Sequence, residues 1–301
     1  MSSSERRAIE IWRVNAFTDT PFTGNPAGVV PEAQGLSDSL MQSIAKEIND
    51  ISETVFILPP ETDAADLRMR FFTATTEVDL CGHATISALF TLHWRGDING
   101  LNETRTLRVE TRVGVLELGL DFEQGRLQWA TMEQLVPECA AATGAHRAAE
   151  VLGLAPGAIA PQPEAGCCSA GLWVCFVPLT DVGQLAKIDL RRELIEQLWP
   201  ENPELIGVYA FAFVDEQTTQ GRFFSPPKYG IFEDPVTGTA SGALGGYLIA
   251  NGLMPAGGVL HARQGVEMGR PGVVRVSRNA NGRMSISGRA VAVIEGRVLV
   301  A

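Results

Sequence analysis

Apolar and polar positions along this chain follow two periods. Alternation with period two marks strands at residues 9–17 and 27–30, and a strongly apolar strand at 55–58 closed by Pro59-Pro60. It recurs at 67–72 and, as a pair turning at Gly114, over 107–120. Helical spacing predicts a helix from Ser37 or Asp38 to about Ile48, with Leu40, Met41, Ile44, Ala45 and Ile48 on its apolar face, and a second from Gly82 to about Trp94. In the later chain the pattern predicts helices at 146–152 and 190–199 and strands at 172–177, 208–214 and 222–224. A helix after Gly238, with Ala240, Ala243, Leu244, Tyr247 and Leu248 on its apolar face, precedes four strands at 258–262, 273–276, 284–286 and 290–300.

One stretch stands apart. Glu233-Asp234-Pro235-Val236-Thr237-Gly238-Thr239-Ala240-Ser241-Gly242 crowds carboxylates, hydroxyls and a glycine turn against the start of an apolar helix. The first N–H groups of a helix lack intrahelical partners and carry the positive end of its dipole, so a carboxylate or phosphate above Gly238 and Thr239 would be held. An echo lies upstream: Arg70-Phe71-Phe72-Thr73 leads to Gly82-His83-Ala84-Thr85, as Arg222-Phe223-Phe224-Ser225 leads to Gly238-Thr239-Ala240-Ser241. The arginines are 152 positions apart and the glycines 156, so the second copy has a connection longer by four. The expectation is a duplicated chain whose two halves face a shared cleft with two helix N-termini. The fold class expected is α+β: two pseudo-symmetric domains, each a mostly antiparallel sheet around a central helix. The domains are set at 1–124, joined by the last strand at 287–301, and 125–286.

Composition narrows the function. A chain of 301 residues, 45% hydrophobic and 20% charged, suits about two globular domains. Its net charge of −11 argues against nucleic acid or an anionic membrane as partner, though local N–H groups can still hold a small anion. The start Met1-Ser2-Ser3-Ser4-Glu5-Arg6-Arg7 has no apolar leader and no apolar run approaches a span, so a cytoplasmic protein is expected. Five cysteines without Cys-x-x-Cys pairing do not indicate a disulfide framework or structural zinc. Four scattered histidines without a His-Glu-x-x-His helix argue against a catalytic metal. Phosphate loop, dinucleotide fingerprint and serine elbow are all missing.

Four motifs occur in order: Asn15-Ala16-Phe17 through Gly24-Asn25-Pro26-Ala27, Ile51-Ser52-Glu53-Thr54-Val55-Phe56, Asp79-Leu80-Cys81-Gly82-His83-Ala84-Thr85, and Glu233 through Ala240. On these the chain resembles, end to end, the PhzF-like (phenazine biosynthesis) isomerase family. The resemblance implies the diaminopimelate-epimerase-type fold, a homodimer, and a cofactor-independent isomerisation that moves a proton between carbons of a small carboxylated ring, trans-2,3-dihydro-3-hydroxyanthranilate. It implies Glu53 as the proton-shuttling group, with His83 and Asp234 as hydrogen-bonding or proton-handling partners. Thr239 stands where the phenazine enzyme has a serine binding the substrate carboxylate, assisted by the N–H groups of Gly82 and Gly238. Asn25 joins the substrate-binding set, with an indirect wall-shaping role as the alternative.

Each residue also has a plainer reading. Glu53, among Ile51, Val55 and Phe56, is suited by partial burial to take and return a proton, or is a strand-end glutamate in a salt bridge. His83 is a site imidazole or a packed first-turn residue, and Asp234, held extended by Pro235, is a site carboxylate or a turn ligand for Thr237 or Gly238. Ser241 reads as a helix-start hydroxyl and Cys81 as a small packed residue. A racemase or epimerase on the same fold is the first alternative, but a second thiol is missing after Cys175. A small-acid binding protein without chemistry is the other.

Overall fold

The alternating segments become strands and the 3.6-period segments become helices, in a computed structural model that describes residues 7–48, 53–229, 231–255 and 257–300. Ile51 and Ser52 of the second motif, and the first six residues, lie outside the described residues. In chain order the elements are β1 (Arg7–Ala16), β2 (Asn25–Val30), α1 (Asp38–Ile48), β3 (Thr54–Leu58), β4 (Leu67–Phe72), β5 (Glu77–Val78), α2 (Gly82–Arg95), β6 (Thr104–Thr111), β7 (Gly114–Glu123) and β8 (Arg126–Glu133). There follow β9 (Glu138–Ala141), α3 (Ala148–Leu152), β10 (Gly166–Ser169), β11 (Trp173–Pro178), β12 (Leu205–Phe213), β13 (Thr218–Phe224) and β14 (Glu233–Asp234). Last come α4 (Gly238–Ala250), β15 (Val259–Gln264), β16 (Gly272–Arg278), β17 (Met284–Gly288) and β18 (Ala290–Val300). The architecture is mixed α+β, mostly sheet with few helices.

The chain divides into two compact units, one of Met1–Met132 with Gly288–Ala301, the other Glu133–Ser287. Within the first, neighbouring strands run β18, β1, β2, β3, β4, β6, β7, β8. Within the second they run β9, β10, β11, β12, β13, β15, β16, β17. The sense of every pairing matches: β2–β3 and β11–β12 are parallel, as are β4–β6 and β13–β15, and the others in each series are antiparallel. The echo in sequence is therefore a repeat of topology.

Each unit packs its sheet on one buried helix. In α2 the run Ala84–Leu92 is wholly buried, and the helix ends at Gly96, whose left-handed φ of 86° lets its N–H reach the carbonyls of His93 and Leu92. Helical spacing gave α4 one apolar face, but the structure buries it from Ala240 to Leu248 on every side. Its glycines make room for that: a Cβ on Gly246 would lie 2.4 Å from the Pro137 Cβ.

Three expectations are corrected. The segment expected as a helix over 190–199 is a 3-10 helix, Arg192–Leu198. The turn preceding α4 does not use glycine handedness, since Gly238 takes ordinary helical backbone as the first residue of α4. Disulfides are present: Cys167 of β10 bonds Cys175 of β11, and Cys168 bonds Cys139 of β9. Both pairs are directly opposed across antiparallel ladders, with Cα separations of 4.1 and 4.0 Å, and strand alternation sends the adjacent cysteines to opposite faces. Neither β9 nor β10 was expected from the sequence, so their opposition could not be read.

Candidate functional site

In the first unit, Glu53 is the last residue before β3, and its carbonyl accepts the N–H of Gly28 in β2 at 3.0 Å. That bond fixes the backbone from which the carboxylate projects. Cys81 is the N-cap of α2, in extended conformation, and His83 is the second helical residue. The three side chains meet. His83 Nε2 lies 3.4 Å from Glu53 Oε2, and Cys81 Sγ lies 3.4 Å from His83 Nδ1. The glutamate and histidine side chains are 18% and 11% exposed, so both are reachable yet largely out of water.

Burial pushes the His83 imidazole below its ordinary value, against the opposing pulls of the Glu53 charge and a hydrogen bond to the Pro26 carbonyl. The ring is therefore neutral at pH 7. Its approach to Glu53 is thus not an ion pair. The Gly24-Asn25-Pro26 turn reaches the site through that carbonyl. Gly24 has φ +67°, where a Cβ would stand 2.3 Å from the Ala16 carbonyl oxygen, and Asn25 beside it is 1% exposed.

In the second unit, Asp234 ends the short strand β14, opposite Phe223. Its Oδ2 accepts the Thr237 hydroxyl at 2.6 Å, the turn role weighed above for this aspartate. Thr237 is the N-cap of α4, and neither it nor Cys81 caps its helix with its side chain. Ser241 donates to the Thr237 carbonyl at 2.9 Å, as Thr85 does to the Cys81 carbonyl at 2.8 Å, so Ser241 is a helix-start hydroxyl. Gly238 is buried and Thr239 half-buried at the first two helical positions. Glu53, Gly82, His83 and Asn25 thus belong to the first unit, and Asp234, Gly238 and Thr239 to the second.

Two contributors were not expected from the sequence. Gln264, 1% exposed, pins the loop before α4: its Nε2 donates to the Asp234 carbonyl at 2.5 Å and its Oε1 accepts the Thr237 N–H at 3.1 Å. It follows the loop by some thirty residues, beyond any local pattern. The other is a clamp built into the echo. Arg70 grips Glu77 through two bonds of 2.8 Å, and Arg222 grips Glu233 through bonds of 2.8 and 2.7 Å. Each guanidinium lies over the phenylalanine two residues on, Phe72 at 5.2 Å and Phe224 at 4.8 Å. The clamps tie each strand to the segment that leads into its helix.

Residues 14–296 match the family described as phenazine biosynthesis-like protein. The chain belongs to that family. An isomerase of Bacillus subtilis (strain 168), YfhB, described as uncharacterized, is 33% identical over 289 residues, covering 94% of this chain and 96% of that one. The trans-2,3-dihydro-3-hydroxyanthranilate isomerase of Pseudomonas aeruginosa is 31% identical over 290 residues, covering 94% and 97%. Among solved structures, a phenazine biosynthesis protein of the PhzF family from Bacillus anthracis superposes with a TM-score of 0.85 at 31% identity, covering 98% of this chain and all of that one. A hydroxyproline epimerase from Agrobacterium vitis, at TM-score 0.64 and 13% identity, shares the fold. This chain is accordingly an isomerase of the PhzF family with the diaminopimelate-epimerase-like fold. No helix among the described residues is long and apolar enough to cross a membrane.

Proposed function

We propose that this PhzF-family isomerase moves a proton between carbons of a small carboxylated substrate, with Glu53 as the proton-transferring group and without a cofactor. The observation that carries the reading is the Glu53 carboxylate facing the neutral His83 ring at 3.4 Å, on a backbone fixed by Gly28. A neutral imidazole beside the carboxylate leaves its basicity intact, whereas a fixed cation there would lower it. The uncapped first turns of α2 and α4 support a carboxylate-binding role for the N–H groups of Gly82 and Gly238. In this reading Asp234 and Thr239 keep the hydrogen-bonding and carboxylate-binding roles that the family resemblance implies, and Asn25 acts by supporting the turn that carries Pro26.

The relative from Pseudomonas aeruginosa supplies the first substrate to try. Incubation with trans-2,3-dihydro-3-hydroxyanthranilate in deuterated water, followed by ultraviolet absorption and NMR, should show conversion with deuterium entering at carbon. Glu53→Gln should lower turnover by at least about a hundredfold, the usual scale of a lost general base. Exchange undiminished in that variant would remove Glu53 from the role.

Epimerisation is the second reading, favoured by the Cys81 thiol at the start of α2 beside His83. Against it, the residue at the matching N-cap of α4 is Thr237, with its hydroxyl given to Asp234, so the repeat does not supply a second thiol there. Cys81→Ala separates the two: proton transfer by Glu53 survives it, whereas thiol-based epimerisation does not.

A further inference from the structure

We propose that Glu53, Cys81 and His83 form an open three-ligand site for a divalent cation of the zinc type, and that the cation competes there with the substrate. One donor atom from each residue lies within 4.8 Å of the others. Zinc bonds of about 2.0–2.3 Å put neighbouring donors of a tetrahedron about 3.3–3.8 Å apart. His83 Nε2 stands 3.4 Å from Glu53 Oε2 and 3.9 Å from Cys81 Sγ, so two edges are already close to that figure. Small rotations about the side chains bring in the third.

The donor set also fits the ion in kind. Thiolate, imidazole and carboxylate together select a borderline-soft cation over magnesium or calcium, which take oxygen alone. The His83 ring hydrogen-bonds the Pro26 carbonyl, and because a carbonyl only accepts, the nitrogen facing it carries the proton and the other offers a lone pair. An outer carbonyl of this kind orients the ligating histidine in metal sites. Cys81 is the one cysteine outside the two disulfides, so it carries a thiol, which binds such an ion as the thiolate after losing its proton to solvent. Three protein ligands leave a fourth position for water, the arrangement of an exchangeable site and not a closed structural one. A cation held there occupies the Glu53 oxygen that the proposed proton transfer needs. The binding stands on geometry alone, whereas the competition rests on the proton-transfer reading.

Cobalt(II) reports on such a site by colour. Titrated into the purified full chain with its disulfides intact, it should give a thiolate-to-cobalt charge-transfer band in the near ultraviolet, with the intense visible bands of four-coordinate cobalt, saturating at one equivalent. Zinc should bleach both. Cys81→Ser should abolish the near-ultraviolet band, and Glu53→Gln and His83→Ala should each weaken cobalt binding by about tenfold or more. If the serine variant does not fold, alkylation of Cys81 in the native chain tests the same point. A flat titration, also flat by calorimetry with zinc, overturns the site, as does a near-ultraviolet band that survives loss of the Cys81 thiol. Where turnover is measurable, zinc should inhibit it in step with occupancy. Full turnover at full occupancy overturns the competition and leaves the site, while failure of the proton-transfer reading leaves the cobalt result untouched.

Discussion

A single arginine–carboxylate pair shows how much one residue can carry. Glu77 is 18% exposed and receives both Nε and Nη2 of Arg70, and Arg112 approaches it at 3.5 Å. The bonds from Arg70 hold its carboxyl below its ordinary value of 4.5. Because the folded value is depressed, the stabilisation is fully present above the unfolded value and fades as pH falls through the folded one. Glu77→Gln should therefore cost about 1–3 kcal/mol at pH 7, the scale of hydrogen bonds to a charged group. The gap between variant and wild type should close as the solution is acidified below about pH 4. Urea titrations at a series of pH values would read this directly, and a constant gap down to pH 2 would place the cost in packing against Phe72.

At the scale of elements, β9, β10 and β11 form a small ladder tied by sulfur on both faces. Thiol titration of the unfolded chain should find one thiol before reduction and five after. Reduction should lower stability by roughly 2–4 kcal/mol, chiefly through Cys139–Cys168, which closes the longer loop of 29 positions against 8. A melting temperature unmoved by reduction would assign the ladder's stability to its hydrogen bonds. The same elements show where sequence reading stopped. The long strands β1, β7 and β18 and the helices α1, α2 and α4 are legible because each repeats its period over several turns or pleats. Four-residue strands such as Glu138–Ala141 and Gly166–Ser169 offer two alternations at most, and glycine with paired cysteines hides even those. Of the candidate residues, Glu53, His83 and Asp234 stand out because they lie within motifs, whereas Gln264 and the Pro26 carbonyl act, each in its own unit, across folded distance. The Cys81 sulfur was visible as a residue, but its place beside His83 depends on the helix start turning both inward.

For the whole molecule, the repeat explains why the last strand matters. Both units have the same eight-position strand series, but the first borrows its outermost member, β18, from the far end of the chain, while the second begins with its own β9. β18 pairs with β1 from Arg7↔Val300 to Ala16↔Ala290, the whole length of that strand. At a net value of about 0.5–1.5 kcal/mol for each hydrogen bond, stripping that ladder removes an amount on the order of the stability of an entire domain. The first unit is therefore closed only once the final dozen residues are in place. That closure needs a pairing of high sequence separation, the kind of contact that slows folding. The second unit is continuous in sequence and carries no such dependence. Ending the chain at Arg289 should therefore strip hydrogen-exchange protection from β1, β2 and β3 while β11, β12 and β13 keep theirs. Protection lost equally in both units would mean that they fold as one cooperative body. Protection kept in β1 would mean that its pairing with β2 alone suffices, and that β18 covers an edge without holding the unit closed.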